Sequence, residues 1–456
     1  MRGFIKKVLF LILFLVAFIF TGEIFGQTTC NDCVPNQVLV ELAPTSQNQL
    51  GAVATQYNLK PVPLGQIGMP ASYQMEVDTA QTNQTAEQIV AAMQGDVRIT
   101  KAEVNRKFSA VERENLPWTL GNSWTIGNSW TIGGSAKGFH RQWFPDLIRL
   151  NQAHTAPNGS TGAGVTVAVL DTGIDLNHPA FAGKLVPGYD FVGNDDNPSE
   201  EGILRQNQVY GHGTHVAGIV ALTAPDAKIM PIRVLDSNGE GELWRITAAI
   251  IWAANHGADV INISFGYRNV ANNEAVSKLL KDLLHTCDGV PTPTGRTFPE
   301  LNGNKLIVIA GAGNGGQIGN GTDKIYPAAE RIDPQLGVGA STRYDYLADF
   351  STFIEGDIRA VAPGENIISA IPGGRYGAWS GTSMATPIVS GIAALVRAKN
   401  PNLAPHLIVE QIKDTGIKWD CPHPTRTNVR LKTSRVDAFC AVTNNQACGF
   451  NPNCNQ

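Results

Sequence analysis

Two classes of protein are disfavoured by what the sequence lacks. Beyond one apolar run close to its start, no segment of the 456 residues is long and hydrophobic enough to span a bilayer. The net charge is −4, and the 35 lysines and arginines form no cluster dense enough for nucleic acid. We therefore expect no nucleic-acid partner and no transmembrane segment in the mature chain.

Patterns typical of a zinc protein are also missing. The zinc-peptidase motif H-E-x-x-H does not occur. Four cysteines crowd the C-terminal end but include no C-x-x-C pair, which disfavours a zinc site there. Their crowding is more typical of disulfide bonds formed outside the cytosol. These cysteines are Cys421, Cys440, Cys448 and Cys454.

The apolar run at the start predicts export. Arg2, Lys6 and Lys7 precede the short hydrophobic stretch Val8 to Phe20, which is the pattern of a secretory signal peptide. We expect residues 1–26 to be this signal peptide and the mature protein to be secreted. A retained N-terminal anchor is the alternative.

The next segments predict a small domain and a linker. Residues 27–108 alternate strand and helix patterns, with a capping box that opens a helix at Thr85, so we expect two helices on a four-stranded sheet. The last two strands are expected around residues 97–99 and 103–108. Residues 109–139 carry three consecutive copies of a six-residue repeat, WTLGNS, WTIGNS and WTIGGS. Three copies are too few for a solenoid and predict an irregular linker.

Residues 140–442 read as a doubly wound, mostly parallel α/β sheet, followed by a cysteine-containing tail at 443–456. Short, nearly continuous apolar runs alternate with helical segments, as buried parallel strands do. Active sites in such sheets lie at the carboxyl ends of the strands. The polar residues Asp171, Ser264 and Asn314 occupy such ends.

Ser383 begins a helix in "SGTSMATPIVSGIAALVRA". The apolar residues that follow it have helical spacing, and Pro387 is tolerable only in or near the first turn. Free amides and the helix dipole at this end favour an oxyanion. Taken alone, Ser383 is equally well explained as an ordinary N-cap serine.

Two histidines stand three positions apart in "YGHGTHVAG". His212 and His215 could be metal ligands, or one of them a catalytic base. With Asp171 and Ser383, His212 completes the chain order Asp, His, Ser, which is one of the orders known for a serine-peptidase triad. A metal site needs a third ligand, so we favour the triad.

Three segments carry a family resemblance. "VAVLDTGID", "GHGTHVAGIVA" and "SGTSMATPIVSGIAALV" resemble the signature segments of the subtilisin-like serine peptidases, the subtilases, over residues 140–442. The resemblance implies Ser383 as nucleophile, His212 as base and Asp171 as its orienting partner. It also implies that Asn314 is a side-chain donor to the oxyanion, beside the Ser383 amide.

The same resemblance implies a groove for protein or peptide substrates. One edge strand would pair with the substrate backbone, and two further segments would wall the primary pocket, which we expect to accept apolar side chains. The residues implied are Gly239, Glu240 and Gly241 for the edge strand, and Ser264, Phe265, Gly266, Ala312 and Gly313 for the walls. Residues 27–108 would be a propeptide that chaperones folding and inhibits the enzyme, with the cut between Phe108 and His140.

Two segments depart from the pattern of the family. Residues 287–303 look like an insertion, as does the cysteine-containing tail. No cofactor is expected for catalysis, and the loop where subtilases often hold calcium looks too short, although the acidic segment "GNDDNPSEEG" offers Asp195, Asp196, Glu200 and Glu201. A secreted exopeptidase of the same fold, or an inactive binding protein, are the alternatives to a secreted endopeptidase made as a zymogen.

Overall fold

A computed structural model of the chain describes residues 32–456 with gaps. The residues outside the description are 1–31, 69–70, 111–134, 204–205, 208, 270–277, 290–291, 293–294, 302, 304, 317–323, 331, 353–357, 423–429, 447–448 and 450–456. The predicted signal peptide and almost all of the tryptophan-containing repeat lie outside the described residues, as does the end of the tail.

Residues 34–110 form a small α+β unit, which we call the N-terminal unit. In chain order its elements are β1 (Cys33–Leu42), a 3₁₀ helix (Pro44–Gln49), α1 (Leu50–Gln56), β2 (Gly65–Ile67), β3 (Ser72–Glu76), α2 (Ala86–Ala92) and β4 (Ile99–Ala110). The strands lie in the order β4-β1-β3-β2, and the pairs of β3 with β1 and β2 are antiparallel.

The capping box predicted for this unit is present. Thr85 N–H donates to Gln88 Oε1 at 2.9 Å, and Gln88 N–H donates to Thr85 Oγ1 at 3.3 Å. The prediction of a strand pair in residues 97–108 was wrong, because one long strand, β4, runs through this segment. Residues 100–102, where the turn would have to lie, are Thr-Lys-Ala and include none of the residues that favour a turn.

The remaining described residues, 135–446 and 449, form what we call the large domain. Its helices are α3 (Ala136–His140), α4 (Phe144–Leu147), α5 (Leu150–Thr155), α6 (His212–Thr223), α7 (Leu243–Asn255), α8 (Lys278–Thr286), α9 (Thr382–Lys399), α10 (Pro405–Asp414) and α11 (Ala438–Thr443), with 3₁₀ helices at Pro179–Phe181 and Pro299–Leu301. Its strands are β5 (Thr166–Asp171), β6 (Tyr189–Asp190), β7 (Lys228–Arg233), β8 (Glu240–Glu242), β9 (Val260–Ile263), β10 (Phe265–Asn269), β11 (Ile307–Gly311), β12 (Lys324–Tyr326), β13 (Gln335–Ser341), β14 (Ala360–Pro363), β15 (Ile367–Ile371), β16 (Arg375–Trp379), β17 (Ile417–Pro422) and β18 (Arg430–Arg435).

The main sheet confirms the predicted doubly wound architecture. Its strand order is β17-β18-β14-β13-β11-β9-β5-β7-β6, and the pairs from β18 to β6 are parallel, with β17 added antiparallel at one edge. Alternate residues of β5 enter two separate cores, since side chains of a strand point alternately to its two faces. Val167 and Val169 pack in the core that contains α6 and α9, whereas Ala168 and Leu170 pack in the core that contains α7 and α8.

The N-terminal unit and the large domain share a sheet. Strand β4 pairs antiparallel with both β8 and β10, and β12 continues the sheet beyond β10. Val34–Gln456 is a single compact unit. Within the described ranges, no helix is both long and apolar enough to cross a membrane.

Candidate active site

The carboxyl end of β5 and the first residue of α6 bring Asp171 and His212 together. His212 Nδ1 lies 2.7 Å from Asp171 Oδ1, and both side chains are completely buried. Gly213 makes this approach possible, because a Cβ there would lie 2.2 Å from the carbonyl oxygen of Gly173 and 3.0 Å from Asp171 Cβ. A buried carboxylate at Nδ1 leaves Nε2 as the nitrogen that exchanges a proton with a substrate group.

His215 lies one turn further along α6 in an apolar setting. Its ring stacks on Trp379 at 4.4 Å between centroids, and its Nε2 lies 3.1 Å from the carbonyl oxygen of Gly377. Burial lowers the pKa of His215 to about 3, so the ring is neutral at physiological pH. His215 therefore packs the site and does not titrate in it.

Ser383 is the second residue of α9, as the sequence predicted. Its hydroxyl donates to the carbonyl oxygen of Ser264 at 2.9 Å, and the hydroxyl of Ser264 donates to the carbonyl oxygen of Ser383 at 3.2 Å. Pro387 explains the second bond. In a regular helix the amide of residue 387 would occupy the Ser383 carbonyl, but proline has no N–H and leaves that oxygen to Ser264.

Asn314 is held by the same helix terminus. Its Oδ1 accepts from the amide of Thr382 at 2.8 Å and from the hydroxyl of Thr382 at 3.0 Å. Two donors on the oxygen orient the planar amide, so its NH₂ group faces away from Thr382. A buried and oriented amide NH₂ can stabilise negative charge that develops beside Ser383.

Strand β4 of the N-terminal unit lies between β8, the strand predicted to pair with a substrate backbone, and β10, which begins with two of the predicted wall residues. On β8, Ser109 pairs with Glu240; on β10, it pairs with Gly266. Ala110 pairs with Phe265, and its amide donates to the carbonyl oxygen of Gly239 at 2.9 Å. Because Phe265 directly follows Ser264, the end of β4 lies near the residue to which Ser383 is hydrogen-bonded.

The residues predicted to wall the primary pocket make two kinds of contact, one with β4 and one with helix α9. The Phe265 ring packs edge-on against Phe108 with 6.4 Å between centroids, so it contacts a residue of β4. Phe108 itself is buried, and Tyr267 lies on its other side at 6.1 Å. In the second wall segment, Ala312 directly follows β11 and is buried, and the Gly313 amide donates to Thr382 Oγ1 at 3.1 Å. This bond ties the Ala312–Gly313 segment to the helix that carries Ser383.

Glu200 was not predicted as part of the site, and the acidic segment that contains it is not simply a solvated loop. Its buried Oε2 accepts from the Thr214 hydroxyl at 2.9 Å and from the Thr214 amide at 3.3 Å. Burial, with the nearby Asp171 charge, raises the pKa of Glu200 to about 7. Only the fold shows this position, since nothing in the pattern "NPSEEG" separates Glu200 from the exposed Glu201.

Among the described residues, no three histidine, cysteine or acidic side chains form a group that could hold a metal ion. Helix α6 is uninterrupted, and only residues 224–227 separate it from β7. Two expectations remain predictions: that the usual calcium loop is too short to bind the ion, and that the C-terminal cysteines form disulfide bonds. Three of the four C-terminal cysteine side chains lie outside the description, and the described Cys287 is a buried free thiol.

Comparison with known proteins identifies relatives. The model described as "Subtilase family" matches residues 162–438. The thermophilic serine proteinase of Bacillus sp. (strain AK1) is 33% identical over 78% of this chain and 76% of its own length. Thermitase of Thermoactinomyces vulgaris is 34% identical over 61% of this chain and 92% of its own length.

A solved structure shares the fold over most of the chain. Fervidolysin from Fervidobacterium pennivorans, described as a keratinolytic enzyme related to subtilisin, superposes with a TM-score of 0.65 at 22% identity. The match covers 91% of this chain and 62% of fervidolysin, so this chain spans less than two thirds of that protein.

Proposed function

Since the chain belongs to the subtilase family of serine peptidases, we propose that it is a secreted endopeptidase, made as a zymogen, whose triad is Asp171, His212 and Ser383. The 2.7 Å contact between Asp171 and His212 supports the assignment of the first two roles. The position of Ser383 at the start of α9, hydrogen-bonded to the strand end at Ser264, supports the third.

The proposed reaction is acyl transfer in two steps. Ser383 gives its proton to His212 Nε2 and attacks the substrate carbonyl, while the Asp171 carboxylate stabilises the imidazolium. The Ser383 amide and the Asn314 NH₂ group stabilise the oxyanion. His212 then protonates the leaving amine, and water hydrolyses the acyl-enzyme. The Ser383 hydroxyl must first leave the Ser264 carbonyl, which holds its proton at rest.

The observation that carries the proposal is the location of β4. This strand lies antiparallel between β8 and β10 and uses its main chain to pair with both. Substrate strands are bound in this way by β-augmentation, which reads the backbone and so accepts many sequences. The groove accommodates a strand that continues far to the N-terminal side of the catalytic centre, which favours an endopeptidase over an exopeptidase.

The same geometry supports a zymogen. While β4 fills the groove, a substrate strand has no access to β8 and β10. We propose that the enzyme cuts its own chain just beyond Ala110, at the Val111–Glu112 bond, although both residues lie outside the description. The pairing of Ala110 with Phe265 leads the chain toward Ser264, to which Ser383 is bonded.

The residue of β4 that is buried predicts which substrate side chain the groove prefers. Phe108 lies against Phe265 and Tyr267, so an aromatic or large aliphatic residue should be preferred at this substrate position, three residues before Val111. The primary pocket is proposed to be apolar too, since Gly315 follows Asn314 and places no charge at that rim.

Covalent labelling of Ser383 with a fluorophosphonate tests the proposal. We expect labelling of the mature enzyme and none of Ser383→Ala, together with cleavage inside long peptides. An unlabelled but correctly processed protein would support the inactive binding protein instead. Release of only terminal residues or short terminal peptides would support the exopeptidase.

A further inference from the structure

The helix that begins with His212 has no capping side chain of its own. The residue before it is Gly211, which cannot accept a bond from the free amides of the first turn. Other segments accept these bonds instead. The His212 amide donates to the Val209 carbonyl oxygen at 2.9 Å, and the Thr214 amide donates to Glu200 Oε2 at 3.3 Å. Glu200 therefore caps α6 from 14 residues before Thr214, and a negative charge at this end of a helix is favourable.

Glu200 is also bound to the segment that follows Asp171. Its amide donates to the carbonyl oxygen of Ile174 at 3.0 Å, and the Ile174 amide donates to the carbonyl oxygen of Pro198 at 3.0 Å. These bonds involve the main chain of residues 198–200, whereas the bonds to α6 involve the Glu200 side chain. Glu200 therefore joins the segment after β5 to the first turn of α6.

Two more bonds link the same two segments directly. The Gly213 amide donates to Thr172 Oγ1 at 3.0 Å, and the Asp175 amide donates to Thr214 Oγ1 at 2.9 Å. The single hydroxyl proton of Thr214 goes to Glu200 Oε2, which lies 2.9 Å away. The Thr214 hydroxyl thus accepts from the segment after β5 and donates to Glu200, so all three segments meet at one side chain.

A carboxylate at this position is unfavourable for folding. Burial, with the nearby Asp171 charge, raises the pKa of Glu200 to about 7, although bonds from Thr172, Gly211 and Thr214 favour the charged form. Above pH 7 the site therefore holds two carboxylates close to one imidazole. A group that opposes stability and contacts both catalytic segments is better explained by function than by packing.

The titratable and charged groups around Glu200 come from several elements. They are Asp171 of β5, Asp175 after β5, Tyr210 before α6, His212 of α6 and Arg375 of β16. The pKa of Tyr210 is raised from 10.0 by burial and by the Glu200 charge, so its phenol is neutral at neutral pH. The adjacent Glu201 is exposed and pairs with Arg233 at 2.7 Å.

We propose that Glu200 is a positioning residue of the peptidase, which fixes the first turn of α6 to the segment after β5 and so holds the His212 ring against Asp171. The inference rests on the proposed function, because it assumes that His212 is the catalytic base. Glu200 acts through Thr214 and α6. Its loss should lower kcat and leave KM nearly unchanged, since the strands proposed to bind substrate, β8 and β10, are separate elements.

Steady-state kinetics of the mature enzyme with a chromogenic peptide test the link at pH 8. Glu200→Ala should lower kcat at least about tenfold, since small displacements of a catalytic group are costly. Thr214→Val removes the hydroxyl at nearly constant volume and should lower kcat similarly, whereas Thr214→Ser should restore it. The double variant Glu200→Ala/Thr214→Val should lose little more than either single variant, because both break one link.

The pH profile separates positioning from a purely structural role. Glu200→Gln keeps an oxygen for Thr214 but has no charge. A nearby carboxylate favours the imidazolium, so the acid limb of kcat/KM should lie at lower pH in Glu200→Gln than in wild type. Because the two groups titrate together, the limb is compared as a property of the pair.

Glu201→Gln is the matched control, since it changes the neighbouring acid on the exposed side; its kcat and its acid limb should equal those of wild type. Variants that process slowly are matured with a trace of wild-type enzyme, and fluorophosphonate labelling gives the concentration of active sites. A Glu200→Ala kcat within about threefold of Glu201→Gln, or a loss confined to KM, would overturn the positioning role. So would an acid limb that Glu200→Gln does not move.

A second measurement does not depend on activity. In the Ser383→Ala background, the protonation of the His212 ring is followed by nuclear magnetic resonance, and its midpoint should fall when Glu200→Gln is added. An inactive and unlabelled wild type would refute the proposed function, and the ring titration would still decide whether Glu200 acts on His212. An active wild type with an unchanged ring titration would overturn the positioning role alone.

Discussion

Replacement of Asn314 separates its proposed catalytic role from its structural one. Asn314→Asp keeps an oxygen where Oδ1 accepts the two bonds of 2.8 and 3.0 Å from Thr382, but it removes the NH₂ donor. The loss of one such donor lowers kcat by about 10²–10³-fold, a value that was measured in the relative subtilisin and not in this chain. We expect at least that loss, since the carboxylate would also repel the oxyanion.

Asn314→Leu is the companion variant. It removes both the donor and the acceptor, so the buried amide of Thr382 loses its partner at a cost of about 1–3 kcal/mol in the free energy of unfolding. Both variants should therefore lose kcat with a chromogenic peptide, and Asn314→Leu should in addition lose the stability that the bonds from Thr382 contribute. Unfolding would be measured in the Ser383→Ala background, which prevents self-digestion. A kcat of Asn314→Asp within about threefold of wild type would refute the donor role, because a lost donor is worth far more.

Three further predictions concern maturation, pH and calcium. Ser383→Ala should abolish activity and leave the purified precursor uncut, and normal maturation without another protease would contradict self-processing. Glu200 binds its proton more tightly in the folded state, with a pKa raised from 4.5 to about 7, so its contribution to stability is present below pH 4.5 and is lost by about pH 7. Relative to Glu200→Gln, the free energy of unfolding should fall by about 3 kcal/mol across that range in urea titrations, and no pH-dependent difference would refute the buried ionisable role. A calcium chelator should leave the melting temperature nearly unchanged, because α6 has no inserted loop; a drop of many degrees would contradict this.

The architecture of the large domain was predictable because its strands are buried on both faces. β5, β9 and β11 are largely apolar. Asp171 ends β5, Ser264 directly follows β9, and Asn314 lies three residues beyond β11. The two-strand prediction for residues 97–108 failed for a physical reason. Local alternation sets which residues face the core, but the length of β4 depends on its neighbours in the sheet. β1 lies beside it, and β8 and β10, which are far away in the chain, pair with residues 107–110 at its end.

The residues that we propose as the triad were easier to predict from the sequence than their surroundings. Asp171, His212 and Ser383 stand in local patterns, at a strand end or a helix start, that the sequence displays directly. Glu200 stands in no pattern, and its pKa depends on burial beside Thr214 and Asp171. His215 is not part of the proposed triad, and its stacking on Trp379 depends on a strand that comes much later in the chain.

The contact between the insertion and the N-terminal unit shows the same limit most clearly. Arg296 and Ser72 are 224 residues apart, and nothing near either residue in sequence marks them as partners. The two contacts of the N-terminal unit also differ in kind. β4 binds the groove through main-chain pairing, which any extended peptide can imitate, so this contact alone could not distinguish an inhibitor from a substrate. The second contact joins side chain to side chain: Lys101 Nζ lies 2.6 Å from Asp282 Oδ2, and Arg296 contacts Glu41 directly. Such contacts require a surface with matching charges, which an arbitrary extended peptide does not offer.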